Sequence, residues 1–147
     1  MIQLPNDPAD EWLSVLKPYQ RLTINEFLKS GDEAYAIDKW FSSNGVSDTS
    51  KFGAGQPHGS SRGQFSKLFW NEFKSLICGD EKYQDEIKGF NGILEENKSR
   101  IVGAISTILA GVFGVTAIFI APVIVLAIIS ITKVGVNAWC KMPPLTS

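Results

Sequence analysis

The sequence predicts an all-α protein in two parts: an N-terminal cytoplasmic helical domain over residues 1–97, and a C-terminal two-helix transmembrane hairpin over 98–141. A short tail, 142–147, follows. Three observations lead there. All 15 acidic residues lie at or before Glu96, so the first 97 residues, with 10 basic ones, carry −5, whereas the only charges after them are Lys98, Arg100, Lys133 and Lys141. From Ile101 to Thr132 there are 32 consecutive residues without Asp, Glu, Lys or Arg, and about 18 such residues suffice for a membrane span. The N-terminal part carries helix-start signals and apolar residues at helical spacing.

Taken in order, Asp7 followed by Pro8 reads as an N-cap and a favoured first helical residue, with the helix running through EWLSVL to Pro18. Thr23 and Glu26 read as a capping box opening a second helix from Ile24 to Ser42, with Phe27, Ala34, Ile37, Trp40 and Phe41 on its apolar side and Gly31 as a point of bending or division. Residues 43–64 are rich in Gly and Ser and read as a long flexible loop. Helix resumes in QFSKLFWNEFKSLIC, whose apolar side holds Phe65, Leu68, Phe69, Phe73, Leu76 and Ile77. Gly79 ends it, and Asp80 caps a further helix leading to the hairpin, with Gly89 and Gly92 as a hinge.

One straight helix over 101–140 would be about 60 Å long, twice the hydrocarbon thickness. Division at FIAPV, with Pro122 in the first turn of the second helix, gives spans over 98–118 and 122–141. One tilted span with an interfacial remainder is the alternative. The N-terminal 97 residues look too few to cover so apolar a surface, which argues against a soluble core hairpin. Lys98, Arg100 and Lys141 flank the spans and the turn is uncharged, so both termini are expected in the cytoplasm and the hairpin in the inner (plasma) membrane.

Within the hairpin, Gly103, Thr107 and Gly111 form one small-residue stripe and Ser106, Ala110 and Gly114 a second, suited to close helix packing within the hairpin or between subunits of a homo-oligomer. Ser130, Lys133 and Asn137 would share a helix face with Lys141. Either that face lines a pore built from several hairpins, or Lys133 snorkels to the cytoplasmic surface. Lys51, Arg62, Lys67 and Lys74 make a locally basic stretch, a candidate anion-binding or nucleotide-binding surface. There Phe52, Phe65 or Trp70 either stack on a base or belong to the core.

The chain has one histidine, His58, and no GK[ST] phosphate loop, GxSxG or HExxH, so no enzyme, cofactor or metal site is expected. Cys78 and Cys140 stand alone, which argues against a disulfide framework and suits a reducing compartment. Three classes of function remain: a ligand-gated ion channel, a ligand-independent pore-forming toxin or holin-like protein, and a passive membrane anchor or scaffold.

A soluble helical part ending in KSRIVGAISTILAGVFGVTAIFIAPVIVLAIISITKVGVNAWCK resembles the small membrane effectors of bacterial anti-phage systems in which a nucleotidyltransferase makes the signal, most of all the membrane effector of Hailong systems. The resemblance is one of arrangement over the whole chain and assigns no individual residue. It implies a multimeric ion channel held closed by DNA-like oligonucleotides from a partner nucleotidyltransferase, whose opening depolarises the cell during infection.

Overall fold

The computed structural model describes residue 4 and residues 7–43, 60–90 and 98–142. Among these the fold is all-α: α1 Ala9–Leu13, α2 Pro18–Ser30, α3 Glu33–Ser43, α4 Ser60–Cys78, α5 Gln84–Phe90, α6 Lys98–Phe113, α7 Ala117–Val134 and α8 Val136–Lys141, with a 3-10 turn at Glu81–Tyr83. The expected domain division at 97/98 and the hinge glycine Gly92 fall at or within 91–97, outside the described residues, as does most of the expected loop over 43–64. The last five residues of that loop, 60–64, already belong to α4.

The N-terminal part differs from expectation in where its helices start. Pro18, read from the sequence only as a stop, is the first residue of α2, where its fixed φ and absent N–H cost nothing. Thr23 is therefore inside the helix, and its hydroxyl donates back to the Tyr19 carbonyl instead of capping. The expected helix over 24–42 is divided at Gly31, where a Cβ would lie 2.5 Å from the Tyr35 ring. Asp32 then caps α3, accepting from the Tyr35 N–H at 2.9 Å. The end of α4 follows expectation: Gly79 is left-handed (φ 90°), the Asp80 N–H returns to the Ser75 carbonyl, and the Asp80 side chain accepts from the Lys82 N–H.

The hairpin turn lies at Gly114–Thr116, not at FIAPV. Gly114 adopts φ 70°, and the Val115 N–H bonds the Ala110 carbonyl, closing α6 in a Schellman-type turn. Thr116 caps α7, accepting from the Phe119 N–H at 3.1 Å. With these stop and start signals in place, Pro122 falls inside α7. At the other end, Gly135 (φ 100°) breaks the expected long second helix, so α8 is a separate short helix.

The core is built around α7. Ten of its 18 residues are buried, and residues 122–129 are buried without interruption, which for a helix means cover on every side. The cover is α6 and α3, with α1, α2 and α8 completing it. The expectation that the N-terminal part is too small to cover this surface fails for α7, because Trp12, Leu16, Ile24, Ile37, Trp40 and Phe41 enter one core cluster with Ile101, Ile105, Leu109 and the apolar residues of α7. An aromatic group ties the elements together. Phe41 of α3 lies 4.6 Å from Phe65 and 5.9 Å from Phe69 of α4, and Phe65 lies 5.4 Å from Phe113 of α6. Leu68, expected on the apolar side of α4, is exposed.

The fold also pairs Cys78 of α4 with Cys140 of α8 in a disulfide, against the expectation of two isolated thiols. Sequence spacing hid this, since 62 residues separate them. What brings them together is Trp139, whose ring sits 6.3 Å from Trp70 and 6.0 Å from Phe73. Disulfides persist in oxidising compartments, so the pairing also runs against the expected reducing one.

Candidate functional site

The functional candidate is α7 together with the groups that hold it. It is an apolar helix of about 27 Å, close to the thickness of a bilayer core, and among the described residues it is the one helix long and apolar enough to cross a membrane. α6 has 16 residues, fewer than a straight span needs.

Three polar clasps hold the two helices against the N-terminal part. The first follows from Pro122. A proline inside a helix has no N–H to give the carbonyl four residues back, so the Ile118 carbonyl is left without its helical donor. The buried Gln20 side chain supplies one: its Nε2 donates to the Ile118 carbonyl at 2.9 Å while its Oε1 accepts from the Lys17 N–H at 3.3 Å. The adjacent Phe119 carbonyl accepts from Trp40 Nε1 at 2.8 Å.

The second clasp is Lys133, whose ammonium lies 2.7 Å from a Glu33 carboxylate oxygen at the start of α3. The third is Lys98 at the start of α6, 2.9 Å from Asp7 and 3.6 Å from Glu11 and positioned 6.0 Å over the Trp12 ring. The division of charge seen in the sequence thus becomes intramolecular: basic residues at one end of the α6–α7 pair meet acids of the N-terminal helices.

The sequence-predicted site residues are distributed as follows. Ser130 sits on α7 and turns its hydroxyl back to the Leu126 carbonyl; Lys133 is the Glu33 partner; Asn137 is exposed on α8, beyond the Gly135 break. The straight face expected to hold all three is interrupted at that glycine. Of the small residues, Ser106 and Ala110 are buried in the core, Gly103, Thr107 and Gly111 form an exposed ridge, and Gly114 makes the turn.

In the basic stretch, Lys51 and Phe52 lie outside the described residues, and Arg62 is placed only as part of the backbone of α4. Lys67 is half-buried on α4. Lys74 is committed to α8: it donates to the Met142 carbonyl and lies 5.6 Å from the Trp139 ring centre. It also lines an open cleft of about 460 Å³ with Asn71, Ser75, Cys78, Gly79 and Asp80. Phe65 and Trp70, considered for base stacking, pack in the core group instead.

Sequence reasoning missed Gln20, Trp40 and Glu33. One signal was present: a proline within an apolar helix requires a donor from elsewhere in the chain, and Gln20 and Trp40 are polar groups on otherwise apolar helix faces. Among the described residues no group of His, Cys, Asp or Glu is suited to hold a metal ion. No family model matches the chain, and neither a curated protein nor a solved structure does.

Proposed function

We propose that the protein is a membrane effector that permeabilises a lipid bilayer with its α6–α7 hairpin, and that the packed arrangement described above is its stored form. The observation that carries this reading is α7 itself, 18 residues whose one charge is Lys133 near the C-terminal end. Two helices cannot enclose a water path, so conduction takes several copies. The exposed ridge of Gly103, Thr107 and Gly111 offers a surface for close packing between them in lipid. In such an assembly the channel depolarises the cell, gated by a nucleotide or oligonucleotide ligand of the N-terminal part, as the resemblance to nucleotidyltransferase-linked effectors implies. Release from the stored form breaks the clasps at Gln20, Glu33 and Asp7, and a ligand controls it through different affinity for the two arrangements.

A second reading has its own observation: the burial of ten α7 residues also suits the core helix of a soluble helical protein. Expression of the full chain in bacteria separates them. Membrane potential is followed with a voltage-sensitive dye, and membranes are extracted with alkaline carbonate. Depolarisation, with the chain in the carbonate-resistant fraction, is the expected result. An unchanged potential with all of the chain in the soluble fraction establishes the core-helix reading. Glu33→Gln, which weakens the Lys133 clasp, is expected to hasten depolarisation.

A further inference from the structure

The stored form leaves one end of the hairpin open to its surroundings. In the last turn of α6, Phe113 faces inward, 5.4 Å from Phe65, while its neighbour Val112 is 49% exposed. In the first turn of α7, Phe119 faces inward, 6.1 Å from Trp40, while its neighbour Ile118 is 55% exposed. Between them Gly114 and Thr116 are exposed as well. The turn is therefore anchored by two aromatic side chains and presents two aliphatic ones.

Charge gives this end a direction. The chain has no ionisable residue from Ile101 to Thr132, so the turn is separated from Arg100 and from Lys133 by nearly the full lengths of α6 and α7, about 24 Å and about 27 Å. Other exposed apolar side chains lack that property. Leu22 follows Arg21, Leu68 follows Lys67, and Tyr35 lies between Asp32 and Asp38. Among the described residues the turn is thus an exposed apolar point whose own two helices bring no charge with it, Lys17 and Arg21 lying on the α2 side of the Gln20 clasp, and at full depth Arg100 and Lys133 reach the level of the lipid headgroups.

The backbone of the turn is also prepared for an apolar surrounding. The Val115 N–H is held by the Ala110 carbonyl, the Phe119 N–H by Thr116, and the Ile118 and Phe119 carbonyls by Gln20 and Trp40. Part of the backbone polarity of the turn, whose exposure is the main cost of placing a turn in lipid, is thus already paired at first contact.

We propose that the α6–α7 turn, led by Val112 and Ile118, is the surface that first enters a bilayer, and that it does so before the clasps on α7 open. This rests on the reading of the chain as a bilayer-permeabilising protein. The test uses the purified full chain with vesicles of equal parts phosphatidylcholine and phosphatidylglycerol, read by co-flotation and by release of an entrapped dye. The variants are Ile118→Asp, which puts an acid in the first turn of α7 where the helix favours it, Val112→Gln, and Leu22→Asp as an exposed apolar control on α2. Circular dichroism verifies that each keeps the helical fold.

Wild type and Leu22→Asp are expected to bind and release dye alike, with Ile118→Asp reduced about tenfold or more and Val112→Gln reduced in the same direction. Equal activity of all four overturns the turn as the leading surface and leaves permeabilisation standing. Equal loss in Ile118→Asp and Leu22→Asp overturns it too, since general surface apolarity then accounts for binding. Absence of binding and release by the wild type removes both the turn's role and the reading beneath it.

Discussion

Gln20 and Ile118, 98 positions apart, are joined by a hydrogen bond that exists because of a third residue, Pro122. The proline withholds the N–H that would have served the Ile118 carbonyl, and the Gln20 amide takes its place.

Replacing Gln20 with Leu should therefore lower stability by about 1–3 kcal/mol, the cost of a buried polar group left unmade. In a Pro122→Ala background, where the backbone N–H is restored, the same Gln20→Leu change should cost measurably less. Urea midpoints of the four proteins form a double-mutant cycle, and a coupling of zero would show that the two residues act separately.

The Cys78–Cys140 bond closes a loop of 62 residues, for which restriction of the unfolded chain corresponds to about 4 kcal/mol. Cys78→Ser should lower the urea midpoint by a matching amount, and a thiol reductant should do the same to the wild type but leave the variant unmoved. Trapping free thiols with a maleimide reagent directly after cell lysis should show how much of the chain carries the bond in the cell.

Tyr83 and Glu72 form a pH-dependent pair at the junction of α4 and the 3-10 turn. The Tyr83 hydroxyl donates to Glu72 at 2.6 Å, and Lys82 donates to the same carboxylate at 2.9 Å. Burial, then the Glu72 hydrogen bond, raises the Tyr83 pKa well above its ordinary 10.0. For Glu72 burial acts upward, but the hydrogen bonds from Tyr83 and Lys82 outweigh it and lower the pKa below its ordinary 4.5. The depressed carboxylate contributes stability that is present above pH 4.5 and lost as pH falls through its folded value. The raised phenol contributes stability that is present below pH 10.0 and lost as pH rises beyond it. Glu72→Gln should flatten the acid limb of the stability profile, and Tyr83→Phe the alkaline one.

At the hairpin turn, Gly114→Ala should cost about 1 kcal/mol through its left-handed backbone alone, because an added Cβ there meets nothing within 4 Å. Gly111→Ala, in open space within α6, should raise stability by up to about 1 kcal/mol. A matching shift of the same sign in both would argue against this account of the turn.

The helical class and the end of α4 were legible because they follow from local signals: a capping aspartate, a left-handed glycine, apolar spacing. Start points were less legible where two signals competed. Pro18 is both a stop for one helix and a start for the next, and the start at Pro18 absorbed the Thr23 box into a helix interior. Pro122 misled in a related way. As a first-turn residue it would be free of consequence, but Gly114 and Thr116 set the turn earlier, and the proline then needed Gln20 from a distant segment. The disulfide and the Lys133–Glu33 pair, at separations of 62 and 100 residues, depend on tertiary packing that no local pattern encodes.

The four tryptophans stand at three different joints. Trp12 lies under Lys98 at the start of α6, Trp40 holds the Phe119 carbonyl of α7, and Trp70 and Trp139 face each other where α4 meets α8. The protein therefore carries its own optical gauge of disassembly. Departure of α7 would show in the emission of Trp40 as its indole N–H loses the carbonyl and meets water or lipid, whereas loosening of α8 would show in the near-ultraviolet dichroism of the Trp70–Trp139 pair. With single Trp→Phe replacements, the order in which the joints open can be read without attaching any label.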